Sequence, residues 1–149
     1  MAQALVVSPT EGEKFVAGPF DIISRVLGSQ NNDTFEMYEL AMGPATIDYH
    51  VHHHHDETLV VLEGEIEFIV AKTNFLRPAG SVAFVPRGIH HGFTNHGPTR
   101  ARVLIMFTPN GNQQEYFREL ASIFAQTPLD MVRLKAAQKQ YDQELIAMD

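Results

Sequence analysis

Up to about Pro109 the chain is a series of short β-prone runs separated by turn residues. Residues 20–27 and 34–42 flank the polar stretch Ser29-Gln30-Asn31-Asn32-Asp33, the pattern of a hairpin with a long loop. Further runs follow at short intervals over residues 47–52, 57–62, 65–70, 81–85, 89–94 and 100–108. This rhythm predicts an all-β sandwich, jelly roll or barrel.

After Pro109-Asn110-Gly111 the period changes from that of a strand to that of a helix. Tyr116, Phe117, Leu120, Ala121 and Phe124 share one helical face, and Asn112 with Glu115 has the spacing of a capping box. A second helix is expected from Thr127, with Pro128 in its first turn and Asp130 near the positive end of its dipole. Met131, Leu134, Gln138, Tyr141, Leu145 and Met148 then form a heptad-like seam with one polar interruption. That seam suits packing on the barrel or on a second subunit. The expected organisation is a β-barrel over residues 1–110 and a helical extension over residues 111–149.

The length, 149 residues, fits one domain. A formal charge of -7 repels phosphate backbones and anionic lipid heads, so nucleic acid and membrane surfaces are poor partners. The chain has no Cys, which excludes disulfides, thiolate nucleophiles and Cys-type metal sites. The N-terminus lacks the basic start and long apolar core of a signal peptide, and no stretch is apolar enough to span a membrane, so a cytoplasmic location is expected.

Histidine changes the picture, because all 8 lie between His50 and His96. The run Tyr49-His50-Val51-His52-His53-His54-His55-Asp56-Glu57 sits between two strand-like segments, unlike a terminal tag. Strand alternation points His50 and His52 to one face, and a turn brings Glu57 toward them. Past the turn Pro86-Arg87-Gly88, His91 and Phe93 share a face while His90 points the other way. Three imidazoles and one carboxylate then form a nitrogen and oxygen set suited to Fe, Ni, Mn, Co, Zn or Cu, with positions left open for substrate. His53 and His55 are expected in a solvated loop, and His54 is a lesser alternative ligand. Glu63, Glu65 and Glu67 read as the solvated side of a strand whose Ile66 and Phe68 point inward. Phe35, Met37, Phe68, Phe93 and Met106 are candidates for an apolar substrate pocket. Asn95 is read as fixing a strand end or orienting His91, and Arg87 as a surface residue. Val60 and Leu62 are apolar on the outward side of their strand, so either the C-terminal helices or a homodimer partner should cover them.

These residues resemble the two motifs of the cupin superfamily. From the first His onward, His50-Val51-His52, four residues, Glu57, six residues and Gly64 fit the first motif. Gly80, Pro86-Arg87-Gly88, His91 and Asn95 match the second at every named position. Gly43 departs, with six residues instead of five between it and His50. The resemblance spans roughly residues 35–108 and implies a single-domain, cupin-type jelly-roll β-barrel followed by two C-terminal helices, with His50, His52, Glu57 and His91 as metal ligands. The ending Phe107-Thr108-Pro109-Asn110-Gly111, with Tyr116-Phe117 in the helix beyond it, is similar to bacterial cupins of the quercetin dioxygenase type. That narrower resemblance implies a dioxygenase acting on a small oxygen-bearing organic substrate, with Glu57 as base or labile ligand. A redox-neutral isomerase or lyase and a non-catalytic small-ligand binder are the other classes a cupin allows.

Overall fold

A computed structural model describes residues 2–148 as two antiparallel sheets packed face to face, with two helices across one open side. Ten strands precede the helices: β1 (Lys14–Ala17), β2 (Phe20–Val26), β3 (Glu36–Met42), β4 (Ala45–Val51), β5 (Asp56–Glu63), β6 (Glu65–Val70), β7 (Thr73–Pro78), β8 (Val82–Val85), β9 (His91–Asn95) and β10 (Ala101–Thr108). Helices α1 (Gln113–Phe124) and α2 (Met131–Gln140) follow, and a short β11 (Glu144–Leu145) ends the series. One sheet has the order β1-β2-β3-β10-β5-β8 and the other β11-β4-β9-β6-β7. Neighbours such as β3–β10, β10–β5 and β4–β9 are distant in sequence, so the chain passes repeatedly between the sheets. This is an all-β jelly-roll barrel followed by two helices, the architecture that the sequence resemblance implies.

Alternation along the strands builds the core. Leu40, Met42, Leu59, Val61 and Val103 point inward from the six-stranded sheet, and Ile66, Phe68 and Phe93 from the other. Glu65 is exposed and Glu67 half-buried while Ile66 and Phe68 are buried, as the sequence indicates. Gly64 turns β5 into β6 with φ +81°, and an added Cβ there would lie 3.1 Å from Ala101.

The first helix spans the expected residues but is capped differently, and the second starts and stops elsewhere than the pattern predicts. Asn112, at the head of α1, has left-handed backbone and makes no side-chain cap. Its place is taken by Glu36 of β3, fully buried, whose carboxylate accepts from Gln113 N at 2.9 Å, from Gly111 N and from the Tyr38 hydroxyl. Burial tends to raise the Glu36 pKa, and these three donors work against that tendency. The second helix begins at Met131, four residues past the expected Thr127, because Asp130 is its N-cap and accepts from Arg133 N at 3.0 Å. It stops at Gln140, and the seam breaks with it. Leu145 lies on an edge strand beside β4, and Leu145 and Met148 are exposed.

Tyr116 and Phe117 of α1 pack against the inner face of the six-stranded sheet, with Phe117 edge-on to Tyr38 at 4.8 Å between ring centres. The helices therefore close the barrel and leave the outer face of β5 and β8 uncovered. Val82 and Phe84 are 64% and 60% exposed on that face.

Candidate metal centre

His50 comes from β4, His52 from the residue after it, Glu57 from β5 and His91 from β9. A break in register between β4 and β9 near Ile47 and His50 re-aims the strand, and Gly92 permits it, since a Cβ there would lie 2.7 Å from the Ile47 carbonyl oxygen. The turn before His91 is tied to the first ligand strand through Gly88 N, which donates to the His52 carbonyl at 2.7 Å. His90 faces outward, its ring edge-on to Tyr49 at 5.8 Å.

The four side chains are all buried, and one potential ligand atom from each lies within 4.8 Å of the others. Glu57 Oε1 is 3.0 Å from His52 Nε2 and 2.8 Å from His91 Nε2, and the Nε2 atoms of His50 and His52 are 3.2 Å apart. Each imidazole turns its other nitrogen to a backbone carbonyl: His50 Nδ1 to Asp48 O at 2.6 Å, His52 Nδ1 to Asp142 O at 2.8 Å and His91 Nδ1 to Ile89 O at 3.0 Å. Those carbonyls require Nδ1 to be the donor, which leaves the Nε2 lone pairs directed inward. With all three imidazoles neutral, their lone pairs and the carboxylate converge on one point as an acceptor-only cluster. A cation is the partner that satisfies all four at once, so the residues fit a divalent metal.

Without an ion the three imidazoles differ, and a proton on Nε2 of His52 or His91 takes the place of the cation beside Glu57. Burial, reinforced by its histidine neighbours, pushes His50 down to about 3. Burial also opposes charge on His52, but the Glu57 carboxylate and the contacts with Asp142 outweigh it and raise that pKa. Glu57 is held well below the usual carboxylate range: burial works the other way and is overcome by hydrogen bonds from His52 and His91. It is ionised throughout the neutral range.

The remaining histidines divide unexpectedly. His53 and His54 are exposed, and their backbone N–H groups donate to the Asp142 carboxylate at 2.8 Å each. His55, expected in a solvated loop, is only 2% exposed. It stacks beside His52 at 4.4 Å between ring centres, and Phe107 lies 4.9 Å away. Its Nδ1 lies 3.4 Å from the Asp142 carboxylate and its Nε2 has no hydrogen-bond partner. Burial, reinforced by neighbouring His52, depresses its pKa to about 4 against the opposing pull of the Asp142 carboxylate. His52, His55 and Asp142 form a second gathering of ligand-type atoms beside the first.

A cavity of about 210 Å³ reaches from His50, His52 and Glu57 to the two helices. Of the apolar candidates read from the sequence, Phe93 lines it. Phe68 is core behind Phe93, at 6.0 Å between ring centres. Met37 and Met106 face each other across β3 and β10 on the outer side of the sheet, and half-buried Phe35, just ahead of β3, does not line the cavity. The cause is Glu36: its inward turn to the head of α1 sends Met37 outward and Tyr38 inward. Residues the sequence reading missed, among them Leu40, Ile47, Ile105, Leu120 and Leu134, supply the walls. Asn95 fixes a strand end by donating to Met42 O at 3.1 Å and Thr99 O at 2.9 Å, and makes no hydrogen bond to His91. Arg87 pairs with Asp56 at the surface, Nε to Oδ1 at 3.1 Å.

Residues 36–107 match the family profile described as Cupin domain. That stretch of the barrel is similar to cupin domains. Its fold is shared with solved structures of low sequence identity. KdgF from Halomonas sp. superposes with a TM-score of 0.67 at 16% identity, over 75% of this chain and 99% of that one. A predicted oxalate decarboxylase from Thermotoga maritima gives 0.64 at 19% identity, over 70% and 99% of the two chains. The polyketide cyclase RemF from Streptomyces resistomycificus gives 0.63 at 19% identity, over 78% and 94%. No curated protein matches the sequence closely enough to count as a relative. The cupin motifs thus lie within the matched residues, and the quartet of His50, His52, Glu57 and His91 stands inside the domain.

Proposed function

We propose that this cupin domain is a metal-dependent dioxygenase acting on a small organic substrate that carries an ionisable hydroxyl. The observation that carries this reading is the acceptor-only quartet at the end of an apolar cavity. A divalent ion held by His50, His52, Glu57 and His91 supplies Lewis acidity and, for iron, copper, manganese, cobalt or nickel, a redox-capable open position. The chain's own residues do the rest. The carbonyls of Asp48, Asp142 and Ile89 hold the three imidazoles in one tautomer. Glu57, ionised at neutral pH, accepts the proton of a substrate hydroxyl presented from the cavity. Phe93, Ile105 and Phe107 keep water from the reacting atoms.

A redox-neutral lyase or isomerase is the second reading, and the names of two structural neighbours, a decarboxylase and a cyclase, favour it. The same quartet would act there as a Lewis-acid site. Metal analysis of unsupplemented protein, joined to oxygen-uptake assays on phenol, catechol and flavonol panels, separates the two. Oxygen consumed in proportion to product supports the dioxygenase; turnover that persists without oxygen replaces it with the second reading. Tight ligand binding with no product on long incubation would make the domain a binder.

A further inference from the structure

We infer that the cavity beside the quartet selects a compact, uncharged ligand of one or two rings bearing a hydroxyl, and rejects phosphorylated and polycarboxylate ligands. This deepens the proposal above and rests on it for the direction of the hydroxyl. The first observation is charge. Among the described residues no Lys or Arg lines the cavity; besides the ligand histidines, its ionisable carboxylates are Asp48 and Glu57, in a chain of net charge -7. A buried anion needs a paired cation or dense donors. One divalent ion balances Glu57 and a single anionic ligand atom. The further charge of a phosphate or a second carboxylate would lie among Leu40, Ile47, Phe93, Ile105, Leu120 and Leu134 with nothing to neutralise it.

The second observation is the roof. Its polar groups include the neutral amides of Gln113, Gln138 and Gln143. Gln143 Nε2 donates to Gln113 Oε1 at 2.7 Å and Gln113 Nε2 to the Tyr141 carbonyl at 2.9 Å, so those two are engaged with each other and with the tail. Gln138, on α2, hydrogen-bonds the Tyr116 hydroxyl, and the two line the cavity as a neutral polar pair. Neutral amides recognise hydroxyl or carbonyl oxygen and offer no counter-charge. Size is the third observation. At about 210 Å³ the cavity falls below the roughly 300–1,000 Å³ of drug-sized ligand sites, which restricts the occupant to a small ring system.

The test uses the full chain loaded with metal. Binding of 2-naphthol is followed by its own fluorescence, which the absence of Trp leaves clear of background. Catechol, oxalate, citrate and glucose 6-phosphate are measured by calorimetry and by displacement of naphthol. Naphthol and catechol are expected to bind, with the three anions at least about 100-fold weaker, the scale of an uncompensated buried charge. Gln138→Lys should narrow that gap by about 10-fold or more for glucose 6-phosphate. Anions that match naphthol in the unaltered protein overturn the inference, as does failure of both neutral probes to bind or a gap unmoved by Gln138→Lys. Naphthol bound, with no oxygen uptake on any phenol, catechol or flavonol of the panels, leaves this inference standing and ends the dioxygenase reading. Oxygen uptake with an anionic substrate does the reverse.

Discussion

His90 and His91 are neighbours in the chain and opposites in the fold. His91 Nε2 meets Glu57 at 2.8 Å, whereas His90 stacks outside on Tyr49. His91→Ala is therefore expected to weaken metal binding beyond the roughly 10–100-fold typical of losing an outer partner. His90→Ala should leave it within about twofold of the unaltered protein. Elemental analysis after dialysis reads the difference, and equal losses would show that the facing is wrong. A second prediction concerns His55, whose pKa is depressed to about 4 by burial and by neighbouring His52. Above the ordinary value of 6.5 both folded and unfolded states hold it neutral. As pH falls from there toward about 4, the unfolded chain takes up a proton that the folded one refuses, so stability is lost. Thermal melts of the metal-free protein should show that decline, on the order of 3 kcal/mol, reduced in His55→Asn. An unchanged pH profile in the variant would count against a buried neutral His55.

The C-terminal tail acts at the scale of elements. β11 pairs with Val51 and His50, Ile146 N donates to the Tyr49 carbonyl, and the Asp142 carbonyl accepts from His52 Nδ1. Asp142 holds this arrangement with φ +65° and a carboxylate that takes the N–H groups of His53 and His54. Asp142 is thus a positioning residue for a ligand 90 residues away. Asp142→Ala is expected to lower metal affinity by about 10–100-fold, with partial rescue in Asp142→Asn, which tolerates the same backbone and keeps one acceptor. Metal titration monitored by calorimetry measures both, and an Ala variant with unaltered affinity would detach the tail from the site.

For the whole molecule, metal binding and folding share one free energy if the quartet is assembled only in the folded state. An ion at about 100 times its Kd adds roughly 2.7 kcal/mol, and a chain of this length gains about 2–4 °C per kcal/mol, so Tm should rise by about 5–10 °C. Scanning calorimetry with Fe, Ni, Mn, Co, Zn or Cu checks this, and His91→Ala should remove the gain. The outer sheet face presents Met37, Met106, Leu104, Val60 and Val82, with Arg102 between Glu39 at 3.0 Å and Glu63 at 3.6 Å at its rim. Such a face, apolar with both signs of charge, is self-complementary across a two-fold axis, and we propose it for the homodimer expected from the sequence. Sedimentation across a concentration series tests that, and a monomer mass throughout would end it.

What the sequence determined by itself is whatever repeats locally. Strand alternation and turn residues marked most of the barrel, and the spacing His50-x-His52 through Glu57, with Pro86-Arg87-Gly88 before His91, placed the quartet on inward faces. Edge elements escaped that reading: β1 is short, β7 is exposed along its whole length, and β11 resembles the end of a helical seam. Only tertiary structure decided that Glu36 turns inward to a helix 77 residues on, which reverses the facing of Met37. It likewise decided that His55 is buried and that Asp142 reaches back to His52. In each case a polar group takes its place from a partner far along the chain, and no local period carries that information.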